Sequence, residues 1–346
     1  MIKMMRMKHI LRNACLLALG AGAGLALACS KTAEEGTNVA IKRQFDAWRA
    51  IYYPDATEKD GIYIIDDQPG SGQAWRQDLP VTLLTYTMQN LDGSVQYNTR
   101  EDWAKRLGTW DDVSYYGPQY TLTGKQVSYA GLDRILEGMR QGGTRTAIVP
   151  SWLMTYDRYD TLDEYLEHET EVSATIYTIT FMDQTLNLAE YEYNTMLDYC
   201  SRVLGVTDTL SNAGVFFKSH TEFVEEPKDM PADTIIYINY TGRRIYDGQV
   251  FDTSIADTAK YYGIYNPSRT YGPVSVTMAE KATEVKMGSS TVVSGFGYGL
   301  KAMHADESAT FVFGYNLGYG SSGGTDKSMV PPYASLRFDV DLVPQP

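Results

Sequence analysis

Cysteine, histidine and basic residues are all scarce in this chain of 346 residues. Beyond the N-terminal apolar run only Cys29 and Cys200 remain, which leaves no internal disulfide to stabilise a small fold. Cys200 reads as a buried or half-buried helix residue and not as a redox centre. The four histidines, His9, His168, His220 and His304, have no metal-ligand spacing and sit in no hydrolase motif, so neither metal nor cofactor is expected. Ser289-Ser290 and Gly318–Gly324 contain Gly and Ser, but without the Lys and the strand–loop–helix setting of a phosphate-binding loop. Lys and Arg number 30 against 43 Asp and Glu, a formal net charge of −13. That balance argues against nucleic acid and anionic membrane surfaces as partners. What the chain has in quantity is tyrosine, 27 residues against 10 phenylalanines, a mixture suited to strands and wet binding surfaces. The length favours two domains.

The start has the character of a secretory leader. Lys3, Arg6, Lys8 and Arg12 precede an apolar run from Ala14 to Ala28, too short and too rich in Gly and Ala for a transmembrane helix. Leu25-Ala26-Leu27-Ala28-Cys29 resembles a bacterial lipobox, with Ala26 where Leu is usual. The resemblance implies that residues 1–28 are removed, that Cys29 is lipidated, and that residues 29–38 form a tether from the membrane. An ordinary signal peptide cleaved nearby is the alternative. Ser30 and the acidic Glu34-Glu35 are similar to signals that direct lipoproteins to the outer membrane of a Gram-negative-type envelope, on its periplasmic face or its surface. Loss of the leader removes four basic residues and no acidic one, taking the net charge to about −17.

Farther on, the chain repeats itself. Tyr86-Thr87, Asp92-Gly93 and Tyr97-Asn98-Thr99 parallel Tyr240-Thr241, Asp247-Gly248 and Phe251-Asp252-Thr253. Ala130-Gly131-Leu132 and Met139 parallel Ser294-Gly295-Phe296 and Met303, and Ala174-Thr175-Ile176-Tyr177 parallels Ala334-Ser335-Leu336-Arg337. Landmarks in one order at a period near 160 residues argue for tandem copies of one domain. The expected division is a first domain over 39–183, a linking helix over 184–204 and a second domain over 205–346. Alternating strands such as Thr234–Tyr240 and Ser335–Leu342, with short helices over Ala130–Gly138 and Ser294–Ala302, give an α+β fold. Helical spacing also marks residues 39–53. The acidic stretch Asp157 to Glu171 lacks EF-hand spacing and reads as a solvated flap, and His304 reads as a helix C-terminal cap.

In the second copy the ordered set Tyr240-Thr241-Gly242, Phe251-Asp252, Val292-Val293-Ser294-Gly295-Phe296, Tyr319-Gly320, Val330-Pro331-Pro332 and Ala334-Ser335-Leu336-Arg337-Phe338 resembles an FKBP-type prolyl isomerase domain. The resemblance implies two tandem FKBP-like domains, each a curved antiparallel sheet wrapped around one short helix. It implies catalytic roles for Tyr240, Asp252, Val293, Tyr319 and Phe338, and substrate contacts from Phe251, Val274, Val292, Phe296 and Met329. Phe296 would be the pocket floor, where Trp is usual, and Val274 replaces a wall aromatic. The Val293 N–H and the Tyr319 hydroxyl would meet substrate carbonyls. The glycines of Ser294–Ala302 would be tolerated, despite a helix cost of up to about 1 kcal/mol each, by close approach to the sheet. The first copy places Tyr97-Asn98 against Phe251-Asp252, Leu132 against Phe296, Thr155 or Tyr156 against Tyr319, and Thr178 against Phe338. It therefore reads as a degenerate, non-catalytic relative.

Such a pocket suits a reaction that needs no nucleophile, metal or cofactor. Rotation about a peptide bond faces a barrier of about 18–20 kcal/mol from amide resonance. The cis and trans states at X-Pro differ by only about 0.5–1 kcal/mol, so the obstacle is kinetic. The expected function is peptidyl-prolyl cis-trans isomerisation of proline-containing polypeptides in the cell envelope. A non-catalytic polypeptide-binding or scaffold lipoprotein is the alternative.

Overall fold

The computed structural model describes residues 35–346, apart from 113, 125–128, 170–171, 211–212, 227, 229 and 325–328. The leader over 1–28, the lipidation position Cys29 and most of the tether lie outside the described residues. Residues 37–346 form one compact unit. Among the described residues no helix is long and apolar enough to cross a membrane.

The chain enters through helix α1 (Thr37–Tyr52), which places Phe45 against Trp48 and Tyr63. Strands β1 (Thr57–Lys59), β2 (Ile62–Gln68), β3 (Val81–Gln89) and β4 (Val95–Asn98) follow, then helix α2 (Glu101–Leu107) and β5 (Gln119–Leu122). Helix α3 (Ala130–Leu136), β6 (Thr144–Val149), the short helix α4 (Leu162–Leu166) and β7 (Thr175–Thr185) complete the first half. Helix α5 (Leu188–Tyr199) leads to β8 (Val215–Ser219), β9 (Ile235–Arg244), β10 (Val250–Thr253), helix α6 (Ala256–Tyr261) and β11 (Val274–Thr277). The small strands β12 (Lys286–Met287) and β13 (Ser290–Thr291), helix α7 (Ser294–Ala302), β14 (Ser308–Phe313) and β15 (Leu336–Val343) close the chain.

Two antiparallel sheets result. One runs β1-β2-β6-β7-β3-β4 with β5 on β3, the other β13-β12-β11-β9-β15-β14-β8 with β10 on β9. From β2 or β8 inward, strand neighbours match one for one across the two sheets, and each sheet packs against one helix, α3 or α7. Two tandem copies of one α+β arrangement account for this.

The helices lie close to their sheets because they carry glycine where a side chain would collide. A Cβ on Gly295 would lie 2.2 Å from the Phe313 ring, and one on Gly299 2.4 Å from Phe311. In α3 the corresponding Gly131 faces a methyl of Val149 at 2.3 Å. Each helix thus presses on a core of its own, centred on Phe296, Phe311, Phe313 and Phe338 in one half, and on Leu132, Leu136, Tyr177 and Phe181 in the other.

Several expectations are corrected. The linking helix begins at Leu188 and not at 184, because Gln184 and Thr185 continue β7 and pair with Thr82 and Val81. The Asn187 side chain caps it by accepting from the Glu190 N–H. A π-helical turn over Cys200–Leu204 extends it to Gly205, whose φ of 67° ends it. Helix α3 stops at Leu136, two residues early, and Gly138 adopts φ 77°. The described residues 157–169 are not simply a solvated flap. Tyr165 of α4 is fully buried and donates to Ser151, while Arg158 pairs with Asp133. The C-cap of α7 is Met303, one residue before His304, whose N–H donates to the Glu307 carboxylate and whose ring meets Phe223 edge-on. Cys200 is buried, and burial pushes its thiol up to about 12.

The halves are joined by α5. The Glu192 carboxylate, buried between them, accepts the Tyr120 hydroxyl of the first sheet and the Ser335 hydroxyl of the second (2.5 Å). Beside it the Arg244 guanidinium lies 4.8 Å over the Tyr115 ring, and Tyr120 meets Tyr333 edge-on.

Candidate active site

Helix α7, strands β9 and β15 and the β12–β13 hairpin enclose a cavity of about 210 Å³ in the second half. It is lined by Tyr240, Asp252, Met287, Thr291, Val292, Val293, Phe296, Tyr319 and Phe338. Phe296 is buried at its base and packs edge-to-face on Phe338 (4.8 Å), Phe311 (5.5 Å) and Tyr240 (6.0 Å). Such edge contacts each add about 0.5–1.5 kcal/mol beyond burial, so the floor is stiff. Phe338 in turn stacks on Phe313, which Gly295 admits.

Polar groups gather at the rim. The Tyr240 hydroxyl donates to the Asp252 carboxylate at 2.6 Å. The Arg269 guanidinium donates to the other oxygen of Asp252 at 2.5 Å and to the Tyr240 hydroxyl at 3.0 Å, closing a triangle. Arg269 comes from the long connection between α6 and β11. Both members of the ion pair are about one-third exposed, so it contributes little stability, about 0–1 kcal/mol. Its larger effect is to neutralise the carboxylate beside an apolar floor. Burial, then Asp252, pushes the Tyr240 hydroxyl above its ordinary range, and the same two causes in the same order raise Tyr319. Both phenols therefore remain neutral donors at any ordinary working pH. Tyr319 is 39% exposed and meets Phe251 edge-on at 6.5 Å.

Of the ten residues expected at this site, seven line the cavity. Phe251 stands just behind it, its ring against Phe338 and Tyr319. Val274 and Met329 do not line it. Val274 is taken up by pairing with Ile238 and by packing on the core, and Met329 offers its backbone carbonyl to Arg244. Sequence reasoning missed Arg269, Met287 and Thr291, which lie in or beside irregular connections without periodicity.

The first half keeps a counterpart, but not the one expected. Tyr86 occupies the place of Tyr240: each N–H is met by the hydroxyl of Thr99 or Ser254, which also donates a backbone N–H in return. Along the ladders Met88 faces Tyr97 and Tyr177, as Gly242 faces Asp252 and Phe338. Tyr97, not Asn98, therefore stands where the carboxylate stands, and Tyr177, not Thr178, replaces Phe338. The hairpin between β3 and β4 is one residue shorter than that between β9 and β10, so equal spacing in sequence slips the match by one. In a strand that slip exchanges the two faces.

The family model for FKBP-type peptidyl-prolyl cis-trans isomerases matches residues 226–343. FK506-binding protein 2 of Kluyveromyces lactis is 31% identical over 137 residues, covering 37% of this chain and 81% of that protein. Macrophage infectivity potentiator of Trypanosoma cruzi is 28% identical over 106 residues, which span 31% of this chain and 40% of that protein. Among solved structures, the three FKBP domains of wheat FKBP73 align over 82% of this chain and 94% of theirs, at 14% identity and a TM-score of 0.29. On the family match and the extent of the Kluyveromyces relative, this chain belongs to the FKBP-type peptidyl-prolyl cis-trans isomerases and is an enzyme of that class.

Proposed function

We propose that isomerisation takes place in the C-terminal cavity, and that the chain serves as a lipid-anchored folding factor of the cell envelope. The observation that carries the site is an open, mostly neutral cradle: Phe296 for its floor, Tyr240, Val292 and Phe338 for its walls, and a neutralised carboxylate at its rim. A twisted X-Pro amide has lost carbon–nitrogen double-bond character and part of its carbonyl polarity. An apolar cradle that excludes water therefore favours it over the planar ground state. The prolyl ring rests on Phe296, while the Val293 N–H and the Tyr319 hydroxyl hold substrate carbonyls. Asp252 and Arg269 keep the Tyr240 hydroxyl committed, so the phenol ring packs as a wall.

Envelope location rests on the leader and the Leu25–Cys29 pattern, and anchoring on Cys29 itself. The acidic charge leaves the lipid, not basic residues, to hold the chain at a membrane. A protease-coupled assay on an Ala-Leu-Pro-Phe peptide with the full chain tests the site. Acceleration that drops at least tenfold in Phe338→Ala supports it, and an undiminished rate in that folded variant removes it. Incorporation of radiolabelled palmitate into cells expressing the chain tests the anchor, with loss of label expected in Cys29→Ala.

A further inference from the structure

The segment that brings Tyr319 to the C-terminal cavity is held, in part, from the first half of the chain. It is described over residues 315–324 and 329–335. A single 3-10 turn (Tyr315–Leu317) opens it, and the Tyr315 carbonyl accepts both the Gly318 N–H (3.0 Å) and the Gly320 N–H (2.8 Å). Those two bonds pin the backbone on either side of Tyr319. The Gly320 carbonyl in turn accepts the Tyr333 N–H at 3.0 Å, and the rings of Tyr315 and Tyr333 meet edge-on at 5.1 Å. Tyr333 thus grips the turn twice, through its backbone and through its ring.

Tyr333 itself sits at φ 60°, a left-handed conformation that a bulky side chain keeps only where its surroundings impose it. The first sheet supplies part of those surroundings. Tyr120 of β5 sets its ring edge-on to Tyr333 at 6.1 Å, and its hydroxyl donates to Glu192, which also accepts the Ser335 hydroxyl two residues farther on. Arg244, stacked over Tyr115 of the first half, donates to the Met329 carbonyl. Joining the halves does not by itself call for these contacts, since α5 and its π-helical turn bear on both sheets. Tyr191 donates to Asp183 of β7 at 2.8 Å, while Met196 and Cys200 pack with Phe216 and Val312. The contacts of Tyr120 fall instead on the segment that carries Tyr319. A donor favours a rotating amide only from a fixed place, because a hydroxyl that must first be ordered gives back much of what it gains.

We propose that Tyr120 is a positioning residue for the isomerase site. Through Tyr333 and Gly320 it sets where the Tyr319 hydroxyl stands, so the first domain acts on the reaction as a brace. The inference rests on the reading that Tyr319 holds a substrate carbonyl.

The test places 3-fluorotyrosine at position 319 of the full chain and follows its fluorine resonance without substrate, alongside kcat/KM for the Ala-Leu-Pro-Phe peptide. Tyr120→Leu, which removes the ring edge, should shift or broaden the resonance and lower kcat/KM several-fold, the scale of one hydrogen bond. Tyr120→Phe keeps the ring and removes the hydroxyl, so it should restore both readouts even where melting shows stability lost at Glu192. Tyr333→Asn, whose side chain tolerates left-handed backbone, removes the same contact from the other side and should repeat the Tyr120→Leu result; it carries the test if Tyr120→Leu does not fold. In a double-mutant cycle the rate loss of Tyr120→Leu should largely vanish on a Tyr319→Phe background, which a merely structural effect would not do. An unmoved resonance in a folded Tyr120→Leu or Tyr333→Asn variant, or rate losses that add in full to that of Tyr319→Phe, would overturn the proposal. A resonance that moves while Tyr319→Phe keeps its full rate would instead remove the catalytic role of Tyr319 and leave the brace standing.

Discussion

The two cavities of this chain are built on the same strands and the same helix, yet they differ in what closes them. In the second half a charged pair, Asp252 with Arg269, ties the wall tyrosine, and four phenylalanine rings lock the floor. In the first half tyrosines take the place of the charge and of the wall ring, and Leu132 replaces the aromatic floor. The difference teaches that one fold supplies a cradle in both halves, and on the function proposed above a few residues of the second suit it to the twisted amide.

The comparison is broken most severely by removing what is special to the second cavity. Phe338→Ala deletes a wall ring and leaves Phe296 and Phe313 against a void, and should cost about 3–5 kcal/mol of stability in denaturant titration, along with the loss of rate. Next comes helix approach. Gly295→Ala sets a methyl into three atoms of the Phe313 ring, at an expected cost of about 1–3 kcal/mol, whereas Gly131→Ala meets one Val149 methyl and, at 2.9 Å, the Leu153 carbonyl oxygen, and should cost less. Equal costs in thermal unfolding would mean that the two helices are held alike.

A smaller effect is expected from Arg269→Ala. It releases Asp252 and charges the rim, so kcat/KM for the tetrapeptide should fall several-fold while stability changes by less than about 1 kcal/mol. An unchanged kcat/KM would show that the ion pair is only structural decoration of the rim.

The smallest effect concerns the junction. Burial raises the Glu192 carboxyl above its ordinary value, against the opposing hydrogen bonds from Ser335 and Tyr120. A carboxyl whose folded value is raised stabilises the folded state fully below its unfolded value, and that contribution is lost as pH rises through the folded value. Stability should thus decline over that window, and Glu192→Gln should flatten the decline when melting is followed across pH. A steeper decline in the variant would contradict the assignment.

How much of this was legible beforehand follows from where each residue sits. Tyr240, Phe296 and Phe338 lie on regular elements and Val292 and Val293 just ahead of helix α7, all at fixed spacing, so their meeting in one cavity could be anticipated from sequence. Arg269 could not, because a long connection carries no periodicity, nor could Met287 and Thr291, whose two-residue strands are too short to show any. Met329 and Val274 were drawn in by analogy, but Met329 turns its carbonyl to Arg244 and Val274 is spent on sheet pairing. In the first copy equal spacing gives the landmarks but slips the register by one: Tyr177, not Thr178, lines the cavity, and Tyr97, not Asn98, holds the ladder position of Asp252. Bulges at Gln96 and Phe251 add to the difficulty, since a bulged residue takes a place in sequence and none in the ladder.

The most direct test of the central claim is proton NMR exchange spectroscopy on a Leu-Pro peptide with the full chain, read together with intermolecular nuclear Overhauser effects. Expected are cis–trans exchange cross-peaks that require the protein, accompanied by contacts from the prolyl ring protons to the rings of Phe296 and Phe338. Exchange cross-peaks with prolyl contacts only to first-domain residues, or no exchange from a folded chain, would contradict it.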